Sequence, residues 1–168
     1  FVSIILLTGY WFLLLLFGDA SEPFSMLGNA GEYLDKFLMG NNHLYHGEGI
    51  PFDPEGLLST IPSIVNVISA YSARRCLHKH GRGYDTLARI MLVGSLFIFI
   101  ALCWNLVFPI NKHLWTSSFV LLTTGLALII LSPLISITEL KNWNPSKWQN
   151  FFLILCKNPL FINLLSDL

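Results

Sequence analysis

Residues 90–138 read IMLVGSLFIFIALCWNLVFPINKHLWTSSFVLLTTGLALIILSPLISIT, and Lys112 is the one formally charged side chain in the stretch. A helix on a soluble protein keeps a polar face toward water. Here apolar residues occupy every face on both sides of Asn111-Lys112-His113. Each half approaches or exceeds the ~20 residues that cross a bilayer's hydrocarbon core. The pattern predicts two membrane spans, about 90–110 and 116–137, joined by a short turn. Working outward, residues 1–17 and 56–73 are also free of charge. A fifth apolar segment, 151–168, is interrupted by Lys157 and Pro159.

Composition points the same way. Of 168 residues, 54% are hydrophobic and 12% charged, about half the ~25% of charged residues usual in soluble chains. Mean hydropathy is +0.61. Ten basic residues balance ten acidic ones, so no net charge draws the chain to nucleic acid. Disordered, disulfide-scaffold and ordinary cytosolic classes are excluded. The expected fold is all-α: a polytopic α-helical integral membrane protein with four transmembrane helices plus the start of a fifth. Residues 1–168 form a single transmembrane domain in this reading. The chain opens at Phe1 inside an apolar run, without a basic lead-in. It therefore reads as a fragment of a larger bundle whose N-terminal half is missing.

Charge asymmetry orients the spans. Segment 18–55 carries Asp19, Glu22, Glu32, Asp35, Glu48, Asp53 and Glu55 against Lys36 alone. Segment 74–89 carries Arg74, Arg75, Lys79, Arg82 and Arg89 against Asp85. The positive-inside bias makes 74–89 a cytoplasmic loop and 18–55 an extracytoplasmic one. The connections at 109–116 and 138–150 alternate accordingly. Cys76, Cys103 and Cys156 are odd in number and need not share a depth, so no disulfide is expected.

The span 56–73 is the most polar. Ser59, Ser63, Asn66, Ala70 and Ala73 recur at helical spacing and form one small, polar stripe. That stripe suits close helix packing, with Asn66 bonding across to a neighbour. It equally suits a polar path through the membrane. Ahead of it, Asp53-Pro54-Glu55 reads as a helix start, with Asp53 as N-cap and Pro54 at the first helical position. The same two carboxylates could instead hold an amino or hydroxyl substrate. Pro62 suggests a kink in the first turns. His43 and His46 lie three apart without a clear third ligand, so no metal site is expected. Arg74 and Arg75 could meet the phosphates of a nucleotide-bearing donor, although topology alone accounts for them. At the outer turn, Lys112 and Trp115 suit interface anchors, or a vestibule shared with Asn111 and His113. Phosphate-binding glycine loops, HExxH, CxxC pairs and GxSxG are absent from the sequence.

Several strings occur together in a recognisable order. They are Tyr10-Trp11; Leu27-Gly28-Asn29-Ala30 with Tyr33-Leu34-Asp35-Lys36; Asp53-Pro54-Glu55-Gly56-Leu57-Leu58-Ser59-Thr60-Ile61-Pro62; Pro109-Ile110-Asn111-Lys112 with Leu114-Trp115-Thr116-Ser117-Ser118; and Lys157-Asn158-Pro159-Leu160-Phe161. In these the chain resembles the C-terminal half of the heparan-alpha-glucosaminide N-acetyltransferase family and its bacterial acyltransferase-like relatives. It departs from them at Ser69-Ala70-Tyr71-Ser72-Ala73, Cys156 and Asn163.

The resemblance implies acetyl transfer from cytoplasmic acetyl-CoA, as co-substrate, to an amino sugar on the extracytoplasmic side. It implies substrate-binding roles for Asp53, Glu55, Asn66, Asn111, Lys112 and Trp115, and a cofactor-binding role for Arg74 and Arg75. The catalytic residue stays unknown. The family's histidine lies upstream of Phe1, and none of His43, His46 or His113 matches it. The competing reading is a permease for N-acetylglucosamine or a related sugar. The expected partners are the amino sugar, the lipid bilayer, the missing N-terminal half and a second copy in a homo-oligomer. The short connections suit a bacterial inner membrane. By itself the fragment is expected to be inactive.

Overall fold

The computed structural model describes residues 1–40 and 56–140 together with Lys157. His43, His46, Asp53, Glu55, Cys156 and almost all of the apolar segment 151–168 lie outside these residues. Among the described residues every regular element is helical: α1 (Val2–Phe17), α2 (Ala30–Met39), α3 (Thr60–His80), α4 (Tyr84–Trp104) and α5 (Ser117–Ile135). A 3₁₀ turn, Leu57–Ser59, leads into α3, and a π-helical turn, Ser136–Leu140, follows α5. That last turn lies just beyond Pro133 inside α5, whose ring removes one backbone donor from the helix.

Among the described residues two helices are long and apolar enough to cross a membrane, Tyr84–Trp104 and Ser117–Thr138. Within the bundle only 28% and 33% of their most apolar windows are buried. The core helix of a soluble protein would be mostly covered. Here Leu92, Phe99 and Ile130 stand outward, on surfaces suited to lipid. A membrane location follows.

The four expected spans do not all meet this standard. With 16 residues, α1 is about 24 Å long, short of a ~30 Å hydrocarbon core. With 21 residues α3 has the length, but its Ser, Asn and basic residues lower its apolarity too far. The boundaries differ as well. The expected span 56–73 is a helix over Thr60–His80, and 90–110 becomes Tyr84–Trp104. Most of the expected 74–89 loop is therefore helix, and the connection shrinks to residues 81–83. The reason is local. His78, Lys79 and His80 occupy the last turn of α3, where cations offset the helix dipole. Gly81 ends the helix at φ 75°, and Asp85 sits in the first turn of α4.

The most extensive interface joins α4 to α5. It turns on a glycine pair. A Cβ on Gly94 would stand 2.8 Å from the Gly125 carbonyl oxygen, and one on Gly125 2.7 Å from that of Gly94. The two backbones touch there, as small residues permit between membrane helices. Buried hydroxyls add to the packing: Ser132 donates to Leu87 O at 2.8 Å within the α4–α5 pair, and Ser117 donates to Leu7 O at 2.8 Å, tying α5 to α1. One apolar cluster joins Leu7, Val65, Ala101, Val120 and Leu121. A second gathers Tyr10, Leu14, Ala30, Phe108 and Leu114, with Trp11 and Trp104 against it. These clusters fix α1, α3 and α5 around the two features described next.

Candidate functional site

The first feature is a cleft at the acidic end of the bundle. Between α1 and α3 the chain forms α2, whose N-terminus is set by Asn29. Its Oδ1 accepts from Glu32 N at 2.9 Å, and its Nδ2 donates to the Ser25 and Met26 carbonyls at 3.0 Å. Capping of this kind fixes the first turn. The helix then packs with its polar side inward. Glu32 and Asp35 are buried, whereas Tyr33, Phe37 and Leu38 are exposed. A water-facing helix would do the reverse.

Spacing i, i+3 puts the two carboxylates on one face. Tyr10, Asn29, Glu32, Asp35, Gly56 and Leu114 form the buried floor of the cleft, and Gly31, Ser59 and His113 its half-buried rim. Its volume is about 20 Å³. The Tyr10 hydroxyl is committed, donating to Leu114 O at 2.6 Å. Asp35 accepts from Leu57 N at 3.2 Å. A carboxylate from α2 thus serves the turn that leads into α3. Lys36 Nζ lies 2.6 Å from Glu32 Oε1, while Oε2 of the same carboxylate is buried with no hydrogen-bond partner. Leaving such an oxygen unmatched costs about 1–3 kcal/mol.

The second feature is a cavity of about 510 Å³ between α3 and α5. Asn66, Ser69, Ala70, Ala73 and Arg74 supply one wall; Trp115, Phe119, Thr123 and Thr124 supply much of the other. From Phe119 to Leu131 the α5 wall runs about 18 Å at ~1.5 Å per residue. Trp115 stands at the acidic end and Arg74 toward the basic end. Inside, Thr124 Oγ1 donates to Asn66 Oδ1 at 2.9 Å. Trp115 has φ 51°, an uncommon conformation for a side-chain-bearing residue. Its indole Nε1 is buried with no hydrogen-bond partner.

Asn66, Arg74 and Trp115 are thus brought together on one cavity. Asn66 both bonds across to α5 and lines the cavity. Of the other stripe residues, Ala70 and Ala73 face the same space, whereas the Ser59 and Ser63 hydroxyls return to the Gly56 and Thr60 carbonyls. Pro62 is fully buried in the first turn of α3, where its missing N–H breaks no helical bond. Asn111 shapes the outer turn: its Oδ1 accepts from His113 N at 2.9 Å and its N–H donates to Thr116 Oγ1 at 3.0 Å. Lys112 is exposed beside it, and Arg75 is exposed outside the cavity. Cys76 and Cys103 are free. Among the described residues no group of three or more His, Cys, Asp or Glu could hold a metal ion.

Sequence reading passed over Glu32 and Asp35 as charges in a loop. The signal available was Asn29 followed three residues later by Glu32, a helix-start spacing. With it, 30–39 becomes a helix and the two carboxylates share a face.

Comparison with known proteins bears on what these features serve. Over 140 residues the chain is 31% identical to heparan-alpha-glucosaminide N-acetyltransferase of Homo sapiens, and 31% identical to that of Mus musculus. The chain is a relative of these N-acetyltransferases. The matched region is 74% of this chain and 21% of each of those proteins. No family model matches the chain. The similarity agrees with the family resemblance carried by the sequence strings.

Proposed function

We propose that the whole protein is a membrane N-acetyltransferase. In this reading an acetyl group passes from cytoplasmic acetyl-CoA to an amino sugar on the extracytoplasmic side, and this chain supplies one wall of the path. The observation that carries the reading is the α3–α5 cavity, which extends between Trp115 and Arg74 and is lined by Asn66. In the proposed topology α1 and α3 cross together with α4 and α5, within the larger bundle. The acidic end faces outward and the basic end inward, in agreement with the positive-inside bias. A bacterial cytoplasmic membrane suits the three-residue connection between α3 and α4.

The residues present fit the donor. The cavity is largely apolar, with Asn66, Ser69 and Thr123 as polar points along it. Arg74 at the basic end would meet phosphate, and Trp115 lines the other end of the cavity. Acetyl-CoA supplies an activated acyl group. In the net reaction the C–S bond breaks and a C–N bond forms. The sulfur leaves as the thiol, and the amine loses a proton that a base must accept. Asn111 and Lys112 shape the outer turn beside the acceptor. Asp53 and Glu55 are further acceptor-positioning candidates.

The test uses the full-length protein in sealed vesicles whose cytoplasmic face is outward. Radiolabelled acetyl-CoA is added outside and glucosamine is trapped inside. Label on the trapped sugar amine is the expected result. Absence of label, with no binding of acetyl-CoA, would overturn the reading and leave sugar uptake as the function to assay.

A further inference from the structure

A second cavity, of about 570 Å³, lies against the neighbouring face of α3 and shares Ser69, Ala73 and Leu128 with the first. Its walls run from Ser3 to Thr8 on α1, from Val65 to Cys76 on α3 and from Arg89 to Trp104 on α4. It exists because α1 packs chiefly on α3, and α4 on α5, which leaves a gap between α1 and α4. Ile4, Val93 and Ile100 at its margin are exposed, so the gap opens sideways.

Length, width and chemistry restrict what fits. From Val65 to Cys76 the α3 wall is about 16 Å long, close to the ~15 Å of one leaflet's hydrocarbon. Spread over that length, the volume leaves a section of roughly 36 Å², about 7 Å across. A helix with its side chains needs ~10–12 Å, so a neighbouring helix covers the mouth without filling the trough. One hydrocarbon chain enters it. Thr8 Oγ1 donates to Ile4 O at 2.7 Å and Ser72 Oγ to Ile68 O at 2.8 Å. Those hydroxyls are turned back onto their own helices. A ligand arm carrying amides finds few partners on such a wall, whereas a hydrocarbon chain needs none.

Charge marks one end of the trough. Arg89 lines it and is exposed, and the charge-free run 90–111 starts at the next residue. The same end of the bundle carries Arg74, Arg75, Lys79 and Arg82 besides Arg89, against Asp85. We propose that the trough holds one acyl chain of an anionic phospholipid from the leaflet at the basic end, with its phosphate at Arg89. A guanidinium at headgroup depth pairs with phosphate, and the chain below it replaces solvent or loosely packed lipid along three helices. The site is separate from the acetyl-transfer reading. Lipid binding without acetyl transfer leaves it standing.

The experiment titrates the full-length protein in detergent micelles with dioleoyl phosphatidylglycerol or dioleoyl phosphatidylcholine and counts bound lipid by native mass spectrometry. The chains are identical, so the difference isolates headgroup charge. The phosphatidylglycerol is expected to bind the tighter of the two. Arg89→Gln should weaken it about fivefold, the worth of one basic residue beside an anionic lipid, and leave phosphatidylcholine within about twofold. Val93→Trp fills the trough and should weaken both lipids by about tenfold. Leu92 stands outward on the same helix and does not line the trough, so Leu92→Trp should change neither.

Unchanged binding in Val93→Trp, or equal loss in Val93→Trp and Leu92→Trp, would show lipid coating the bundle elsewhere and overturn the proposal. A preference for phosphatidylglycerol that survives Arg89→Gln would overturn it as well. Absence of bound lipid on the unaltered protein would mean that other parts of the whole protein fill the trough. Displacement of the lipid by coenzyme A would give the trough to the acyl donor. Either result sinks the lipid site.

Discussion

At the scale of single residues, short polar side chains do two jobs in this bundle. Asn66 accepts from Thr124 at 2.9 Å while lining the α3–α5 cavity. Hydrogen bonds between membrane helices are worth about 0.6 kcal/mol on average, because alternative partners exist in the unfolded state. Asn66→Val should therefore cost little in detergent thermal unfolding, under about 2 kcal/mol. It should reduce acetyl transfer by a larger factor than that stability loss explains. Thr124→Val added to it should cost almost nothing more in stability, as expected when one bond has already gone. Asn29 works through the backbone. Asn29→Ala removes the acceptor for Glu32 N and should destabilise α2 by about 1 kcal/mol. Hydrogen exchange across residues 30–39 would report the loosening, with α4 and α5 unaffected.

Elements show where apolarity decides and where it does not. α4 and α5 are apolar on all faces, so their hydropathy places them, but it does not tell which faces meet. Gly94 and Gly125 settle that. The backbones come so close there that a Cβ at either position falls under 3 Å from the facing oxygen. Gly94→Leu should separate the helices and lower stability by about 1–3 kcal/mol, the usual cost of overpacking. Gly9, where an added Cβ meets nothing within 4 Å, is the control: Gly9→Ala should be neutral or slightly stabilising in the same melt. α2 is the opposite case. Its exposed face carries Tyr33, Phe37 and Leu38, and its carboxylates turn inward. A periodicity read on the assumption of an aqueous exterior assigns its faces the wrong way round.

For the whole molecule the proposed topology has α3 crossing the membrane. If α3 crosses, residues before and after it lie on opposite sides. In a background with Cys76, Cys103 and Cys156 replaced by Ser, Ser21→Cys and Lys79→Cys would carry single exposed thiols. A membrane-impermeant maleimide should then label Ser21→Cys in intact cells and Lys79→Cys only in inverted vesicles. Labelling of both from one side would show that α3 does not cross. The sequence by itself determined the all-helical class, the two apolar spans and the family resemblance. These rest on composition, on long uncharged runs and on strings such as Leu114-Trp115-Thr116-Ser117-Ser118, all properties of neighbours along the chain. Asn66, Arg74 and Trp115 could be named from those strings, but that they line one cavity could not. The packing of α3 on α5, the Gly94–Gly125 contact and the burial of Glu32 and Asp35 were decided only by tertiary structure. Each depends on which face of a helix meets which neighbour. In a chain this apolar many faces are nearly equivalent, until a hydrogen bond or a missing Cβ makes one of them fit.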